Sequence, residues 1–551
     1  MKFIEFANVC EKIEGTASNI EMANIVAQFL KSADDLEIVT RFIIGRIFPA
    51  WSSEELGVGP SLLYNAISMA TGVKETQVKD MVRDLGDIGL VCEKLCEKRI
   101  QQTLLPAELT TLQVYKNFRD VAKAAGKKSQ KKKTGLLADL FGSAKPKEAR
   151  YIARLVLEEL RIGVGEGIVR DAIAQAFDVP KNEVERAYML TNDAGLVAVT
   201  AKKGVEELKR LDIMPGRPVK MMLAQVARSM ESAINDMKEV AVEWKYDGAR
   251  VQIHKTNDEV ILFSRKLENV TKSLPDIAGA IKDAVAYNQA ILEGEAIAVG
   301  EDGKPRPFQD ILKRFRRKYD IEQMVKEIPL HLTLFDALQV NGKSLIHKPL
   351  SERRRVLEKS LKKEHAKIDV TPRTVTSDVK VIENIYKDAL SAGHEGVMLK
   401  NPKSAYTPGK RGKNWLKIKP IAETLDLVVT GGIWGEGRRA NLIGSYLLAC
   451  RDPATGNLLS IGRVGTGMTD KQLAELTGLF KDIIISEKGK DIELKPEVVF
   501  DVGYEEIQKS PNYESGFALR FPRLASIRED KSVEDADSIE RVRELYKIQR
   551  G

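Results

Sequence analysis

The sequence is poor in the residues that build disulfide frameworks and zinc sites. It has four cysteines and five histidines among 551 residues, and no two cysteines stand in a C-x-x-C spacing. This argues against a structural zinc ion, and unpaired cysteines suit a reducing compartment. There is also no apolar run of about 18 residues and no signal-peptide core at the N-terminus. We therefore expect no membrane span and a cytoplasmic location.

Charge is plentiful but nearly balanced. The 87 basic and 79 acidic residues leave a formal net charge of +8, which by itself does not demand a polyanionic partner. The excess is concentrated in two segments, 126–133 and 400–420, and the second has seven basic residues and no acidic one. The first segment is interpreted as a solvated loop, with a phosphate-contacting loop as the alternative. The second suits nucleotide phosphates together with a nucleic-acid backbone.

The pattern of the chain predicts three domains. Residues 1–212 carry apolar residues at three- and four-residue spacing, for example over 149–161, and predict an all-α domain. A Pro- and Gly-rich segment at 214–218 marks a boundary. Short alternating runs, which predict strands over segments such as 240–245 and 331–335, are separated by helices and predict an α+β domain over 213–419. Glycine-rich strands predict a small β-barrel over 420–551.

One short segment carries the chemistry. Residues 243–250 read EWKYDGAR, in which Lys245 is followed by a glycine that lets the backbone turn sharply. A neutral lysine amine is a nucleophile, and nearby cations favour the neutral form. The tetrapeptide K-x-D-G is by itself a weak signal, because an ordinary surface turn explains it equally well.

Six further segments follow in an order that resembles the motifs of the covalent nucleotidyltransferases, the superfamily of DNA ligases, RNA ligases and mRNA capping enzymes. They read FSRKLE at 263–268, LEGEA at 292–296, LFD at 334–336, EGVMLK at 395–400, WLKIK at 415–419, and RFPR to REDK at 520–531. Each segment alone is more often an ordinary strand or core segment. The ordered set is what identifies the chain as a member of this superfamily.

The resemblance implies a role for each matched residue. Lys245 is the nucleophile that carries AMP, and Glu295 and Glu395 offer carboxylates to Mg²⁺. Arg528 and Lys531 orient the pyrophosphate. The cofactors expected are ATP and Mg²⁺, and contacts with the nucleotide are expected from Glu243, Arg250, Arg265, Glu295, Phe335, Arg411, Lys417 and Lys419. Alternation along one strand would point both lysines of WLKIK to the same face.

The helical N-terminal region narrows the resemblance to one branch. Residues 149–166 and 218–224 resemble the DNA-binding domain and the start of the catalytic core of ATP-dependent DNA ligases of the archaeal replicative type. Glycines at 163–167 follow a helix, which indicates a tight helix–helix turn that meets phosphates rather than a dinucleotide-binding strand turn. The C-terminal barrel is then an OB-fold. The implied protein is a nucleoid-associated monomer that seals nicks in double-stranded DNA during replication, repair and recombination.

Two questions stay open in the sequence. Where archaeal relatives carry a glutamine–aromatic segment that binds the sliding clamp, PCNA, this chain has Gln101, Leu104 and Leu105, so the segment is either a clamp contact or an ordinary loop. The alternatives to a DNA ligase are an RNA ligase or capping guanylyltransferase, and a catalytically silent DNA-binding partner of the clamp. The absence of a four-cysteine zinc site favours ATP over NAD as the nucleotide.

Overall fold

The computed structural model describes residues 1–52, 54–98, 108–126, 128–300, 303–306, 308–316, 320–362, 365–420, 424–435, 441–465 and 468–549. The segment of the predicted clamp contact, with Gln101, Leu104 and Leu105, lies outside these residues. The chain divides into two compact units, Met1–Lys419 and Pro420–Gly551, which are described separately.

The first part of the larger unit is all-helical, as predicted. Apolar side chains on one face of each helix pack into a single core, in which Phe6, Phe42 and Phe118 are fully buried. The helices are α1 Phe3–Glu14, α2 Asn19–Ser32, α3 Leu36–Ile43, α4 Pro60–Thr71, α5 Glu75–Leu85, α6 Ile88–Glu97, α7 Thr111–Lys123, α8 Ser129–Ser143, α9 Pro146–Val156, α10 Glu166–Phe177, α11 Lys181–Thr191, α12 Ala194–Ala201 and α13 Val205–Arg210.

Two local predictions in this part were wrong. The helix predicted over 149–161 ends at Val156, because Glu158 and Arg161 adopt left-handed backbone conformations with φ of 56° and 57°. The segment 126–133 is not a loop throughout, since α8 begins at Ser129 and includes three of its lysines. One of them, Lys133, donates from its amine to the carbonyl of Leu56 and so helps to anchor the helix.

The second part of the larger unit contains two sheets. The five-stranded sheet has the order β1-β11-β10-β2-β9, and the six-stranded sheet has the order β4-β3-β5-β6-β7 with β8 added beside β6. The strands are β1 Leu223–Val226, β2 Val240–Lys245, β3 Ala249–Thr256, β4 Glu259–Ser264, β5 Gln289–Ala298, β6 Leu330–Val340, β7 Lys343–Ser344, β8 Ile368–Val370, β9 Thr374–Thr376, β10 Gly396–Lys400 and β11 Arg411–Ile418. The helices are α14 Met230–Met237, α15 Pro275–Ala284, α16 Phe308–Arg316, α17 Ile321–Glu327, α18 Leu350–Glu358 and α19 Val379–Ser391.

Each sheet buries one apolar face under helices. On the five-stranded sheet, Val242, Val397 and Leu416 pack with buried side chains of α14 and α19. On the six-stranded sheet, Ile253 and Leu292 pack with α15. Because side chains alternate along a strand, the opposite faces carry a second set of residues, which includes the polar residues of the candidate site.

The smaller unit is rich in strands, as predicted. Its main sheet runs β14-β13-β12-β16-β15, with β17 beside β12 and β20 beside β17, and β18 pairs with β19. Tyr446, Phe480 and Phe500 form an aromatic cluster in its core. Its elements are β12 Thr424–Trp434, β13 Ile443–Arg451, β14 Leu458–Val464, α20 Asp470–Lys481, β15 Ile484–Lys488, β16 Asp491–Leu494, β17 Val499–Gly503, β18 Glu506–Lys509, β19 Phe517–Arg520, β20 Arg523–Ile527 and α21 Ile539–Ile548.

Within the described ranges, no helix is both long enough and apolar enough to cross a membrane.

Candidate active site

The predicted nucleophile ends a strand. Lys245 is the last residue of β2, and its carbonyl accepts a hydrogen bond of 2.9 Å from the backbone amide of Glu395, just before β10. This antiparallel register places Gly396 opposite Lys245. The amine of Lys245 forms an ion pair with Oε2 of Glu395, and both side chains are partly exposed. Sheet pairing therefore joins two motifs that are far apart in sequence.

Two glycines make room for this arrangement. Gly396 has a left-handed φ of +129°, and a Cβ atom there would lie 2.3 Å from the carbonyl oxygen of Ile418. At Gly248 a Cβ atom would lie 2.6 Å from Cγ of Glu295. A side chain at either position would push apart the strands that carry the charged residues.

Glu295 is the second carboxylate near the lysine. It lies on β5, directly across from Arg250 on β3. Its pKa is raised to about 7, mainly by burial; Lys245 and Arg250 lower it, and repulsion from Glu395 and Asp247 raises it. Glu295 thus sits in an environment that disfavours its ionised form unless additional positive charge arrives.

The two carboxylates suit a hard divalent cation. No group of three or more His, Cys, Asp or Glu side chains that could hold a metal ion is found among the residues that the structure describes. Mg²⁺ does not need such a cage, because in nucleotide sites it takes one or two carboxylates, phosphate oxygens and water. The crowding of negative charge around Glu295 is the feature that such a cation would relieve. The donor set therefore fits Mg²⁺ shared with a nucleotide.

Glu243 is held in a way that the sequence did not predict. It is buried, and its carboxylate accepts hydrogen bonds of 2.6 Å from Nε of Arg373 and 2.6 Å from Nζ of Lys400. Burial would raise its pKa, but Lys400 and Arg373 lower it overall. Glu243 is therefore a fixed, charged hydrogen-bond acceptor. Sequence reasoning missed Arg373, which stands between β8 and β9 in no recognisable motif.

Phe335 lies beside a second aromatic ring and two cations. Its ring meets that of Trp415 edge-on, with centroids 6.2 Å apart. Nζ of Lys400 lies 4.5 Å from the centroid of Phe335 and 4.3 Å from that of Trp415. The guanidinium of Arg250 lies 5.3 Å from the Phe335 centroid. The half-buried ring is thus part of an aromatic and cationic wall rather than an isolated core residue.

Arg250 is committed mainly to a buried network. Its guanidinium donates to Oε2 of Glu293 at 2.7 Å and to the carbonyl of Met222 at 2.6 Å. Tyr406 donates to the other carboxylate oxygen of Glu293 at 3.0 Å. These contacts fix the orientation of the arginine beside Phe335.

The remaining predicted residues of this unit differ in position. Lys417 is opposite Met398, which is in turn opposite Glu243, so Lys417 lies on the same face of the sheet as Lys245. Lys419 follows the strand instead of lying on it, because β11 ends at Ile418. Arg411 is exposed at the start of β11, and Arg265 is exposed in the turn after β4.

Arg528 and Lys531 belong to the smaller unit, where both pair with one carboxylate. Nη1 of Arg528 lies 3.1 and 3.2 Å from the two oxygens of Asp426, and Lys531 forms an ion pair with the same side chain. Arg528 also makes a bidentate contact with Asp530, at 2.9 and 2.7 Å. The two predicted cations are therefore adjacent.

Models of known families match three segments of the chain. Residues 2–174 match the DNA ligase N terminus, residues 221–419 match the ATP dependent DNA ligase domain, and residues 439–531 match the ATP dependent DNA ligase C terminal region. The segment 221–419 contains Lys245, Glu295 and Glu395.

Whole-chain relatives agree with these matches. The DNA ligases of Methanococcoides burtonii, Archaeoglobus fulgidus and Thermococcus onnurineus are 55%, 52% and 50% identical, and each match covers all of this chain and 98–100% of the relative. The solved structure of Pmar-Lig_Pre, at 19% identity, has a TM-score of 0.58 and covers 95% of this chain and 99% of its own, which supports the fold alone. The chain belongs to the family of ATP-dependent DNA ligases.

Proposed function

We propose that Lys245 is the residue through which this DNA ligase carries AMP, and that the polar faces of the two central sheets form its nucleotide pocket. The observation that carries the proposal is the pairing of Lys245 with Glu395, with Glu295 nearby, in a chain of this family. Sheet pairing brings Lys245, Glu395 and Glu295 together where glycines leave room. An adenylyl transfer needs such positioned charges.

In the first step, the amine of Lys245 attacks the α-phosphorus of ATP. A nitrogen–phosphorus bond forms, the bond from that phosphorus to the bridging oxygen breaks, and pyrophosphate leaves. Oε2 of Glu395 accepts the hydrogen bond from Nζ, so it is placed to take the proton that the amine loses. Lys417, on the same face of the sheet, contributes positive charge for the α-phosphate.

In the second and third steps, AMP passes to the 5′-phosphate of a nick, and the 3′-hydroxyl displaces it. The second step makes a bond between two phosphates and breaks the lysine–phosphorus bond. The third makes the phosphodiester and releases AMP. Glu295 and Glu395 would hold Mg²⁺, which would neutralise negative charge on the reacting phosphate.

The base and ribose of ATP are assigned to the aromatic and cationic wall around Phe335 and to the carboxylates beside it. Phe335 offers its half-exposed ring to the adenine, and the charged Glu243 offers an acceptor to the adenine amino group. Arg250 and Glu295 contact the ribose and the α-phosphate of the bound nucleotide. Three further cations contact its phosphates: Lys419, Arg411 and Arg265. Guanine has a carbonyl where adenine has its amino group, so an ionised Glu243 favours ATP over GTP.

The domain roles follow the same proposal. Residues 1–212 hold nicked double-stranded DNA, residues 213–419 carry the adenylation chemistry, and residues 420–551 form an OB-fold that brings Arg528 and Lys531 to the pyrophosphate. We further propose a monomer that works at the nucleoid, in replication, repair and recombination. A contact with the sliding clamp through Gln101, Leu104 and Leu105 stays a prediction.

Labelled nucleotide tests the assignment of Lys245. The full chain is incubated with Mg²⁺ and ATP labelled at the α-phosphate, and then separated by denaturing electrophoresis. We expect label on the wild type and on Lys272→Ala, an exposed lysine that serves as control, and none on Lys245→Ala. Nick sealing by Lys245→Ala with ATP would refute the nucleophile, and transfer from GTP alone would identify a guanylyltransferase instead.

A further inference from the structure

Two cations of the C-terminal segment converge on a single carboxylate. Asp426 contacts Arg528 through both of its oxygens, at 3.1 and 3.2 Å, and forms an ion pair with the amine of Lys531. The side chain of Asp426 is 13% exposed, whereas those of Arg528 and Lys531 are 28% and 29% exposed. The carboxylate therefore lies beneath the two cations, which project past it toward solvent.

Asp426 is itself fixed on both sides of its strand. It lies near the start of β12, paired with Asp501 of β17. On its other side, its backbone amide donates to the carboxylate of Asp537 at 2.8 Å, and the amide of Asp537 donates to its carbonyl at 2.8 Å. These contacts hold the backbone of Asp426, and its side chain is shorter than those of Arg528 and Lys531, so the two cations are the partners that adjust.

The other contact of Arg528 has a different character. Nε and Nη2 of Arg528 donate to the carboxylate of Asp530, whose side chain is 66% exposed. This is the bidentate geometry that an arginine also uses toward phosphate. An exposed ion pair of this kind exchanges readily with solvent and ions. The ion pair with Asp426 uses a different nitrogen, Nη1, so it can persist while Nε and Nη2 bind another anion.

We propose that Asp426 is a positioning residue for the adenylation step: it holds Arg528 and Lys531 side by side, so that they meet the pyrophosphate of ATP as a preformed pair. The proposal rests on the pyrophosphate-orienting role given above to these two cations. Without a shared anion, two like charges repel each other. Arginine and lysine side chains also have large rotamer entropy. Without Asp426, this entropy would have to be lost each time the two side chains bind pyrophosphate.

The substitution Asp426→Asn tests this with little change of shape. It removes the charge, while the amide oxygen and the backbone contacts with Asp537 remain available. Asp482→Asn is the control, because it makes the same change at an exposed aspartate of the same unit, just after α20, for which no contact with either cation is found in the described part of the chain. Arg528→Ala reports on the proposed role of the cation itself.

Three rates are measured on each full-length protein. The first is formation of the lysyl-AMP from labelled ATP in a single turnover, over a range of ATP concentrations. The second is its reversal by added pyrophosphate. The third is sealing of a nick whose 5′-phosphate already carries AMP, without ATP. Only the first two involve pyrophosphate, so the third separates a positioning effect from a general loss of folded protein.

We expect Asp426→Asn to slow lysyl-AMP formation at saturating ATP, and its reversal, by about tenfold or more, with sealing of the adenylated nick unchanged. Asp482→Asn should match the wild type in all three assays. Normal adenylation by Asp426→Asn beside a slow Arg528→Ala would overturn the inference alone. Normal adenylation by Arg528→Ala would overturn both the proposed cation role and the inference. An equal loss of all three rates in Asp426→Asn would show that Asp426 is a structural residue and would refute the inference.

Discussion

Glu295 is the carboxylate whose replacement should stabilise the protein while abolishing its activity. Its pKa lies at about 7, compared with an ordinary value of 4.5, because burial and the neighbouring Glu395 and Asp247 disfavour its charge more than Lys245 and Arg250 favour it. In Glu295→Gln, the shape and hydrogen-bonding capacity remain, and the charge is lost. The same substitution removes a carboxylate that the proposed mechanism needs for Mg²⁺.

The sign of the stability effect follows from proton binding. The folded chain binds this proton more tightly than the unfolded chain, so between pH 4.5 and about pH 7 the folded state carries more protons. Stability must therefore fall as the pH rises through that window, and the full cost is present above it. The rise of the pKa from 4.5 to about 7 corresponds to roughly 3 kcal/mol in the free energy of unfolding, and partial exposure of the side chain reduces this to about 1–3 kcal/mol.

Urea unfolding, followed by tryptophan fluorescence without nucleotide or metal, measures this. Trp244 and Trp415 lie on β2 and β11 and report on the sheet that carries the site. We expect Glu295→Gln to exceed the wild type in stability at pH 8, and the excess to shrink by about 2 kcal/mol at pH 5.

A control lies two residues away on the same strand. Glu293 is fully buried and paired with Arg250 at 2.7 Å, so Glu293→Gln should instead destabilise the protein by about 3 kcal/mol. If Glu295→Gln were less stable than the wild type at pH 8, or if its advantage did not depend on pH, the account of Glu295 as a strained carboxylate would be wrong.

Three further substitutions have definite expected outcomes. Gly396→Ala, whose new Cβ would lie 2.3 Å from the carbonyl of Ile418, should lower lysyl-AMP formation by at least an estimated tenfold, measured with labelled ATP. Arg373→Met removes a cation that keeps Glu243 charged, so a protonated carboxyl can donate to guanine; we expect the ratio of labelling by ATP to labelling by GTP to fall about tenfold. Arg353 pairs with the fully buried carboxylate of Asp336 at 2.8 Å, so Arg353→Met, which leaves that charge without its partner, should destabilise the chain by about 3–5 kcal/mol in urea unfolding.

Local patterns were enough to predict the elements that carry the site. The alternation that predicted a strand over 240–245 matches β2 residue for residue, and Lys245 stands at its end. The strand predicted over 331–335 continues to Val340, because Ala337 and Val340 also pack against the core. Helix ends were harder to predict, as at α9, where the apolar spacing continues past Val156 but the backbone does not stay helical.

Long-range partners could not be read from such patterns. The pairing of Glu243 with Arg373 joins residues separated by 130 positions, and the sequence around that arginine has no motif. In the same way, the sequence shows Asp426 only as one acidic residue in an ordinary strand. Its partner Arg528 follows β20, and the two side chains meet only in the folded sheet. Charge that is paired at a distance is visible only once the register of the sheets is known.

The register itself explains how motifs that stand far apart in the sequence come together in the candidate site. Lys245 belongs to β2, Glu395 precedes β10, and Lys417 belongs to β11, and these three strands are neighbours in one sheet. A slip of one residue in either ladder would turn the lysines to the apolar face that is covered by α14 and α19. Burial of that face by residues such as Val397 therefore fixes the geometry of the candidate site on the opposite face.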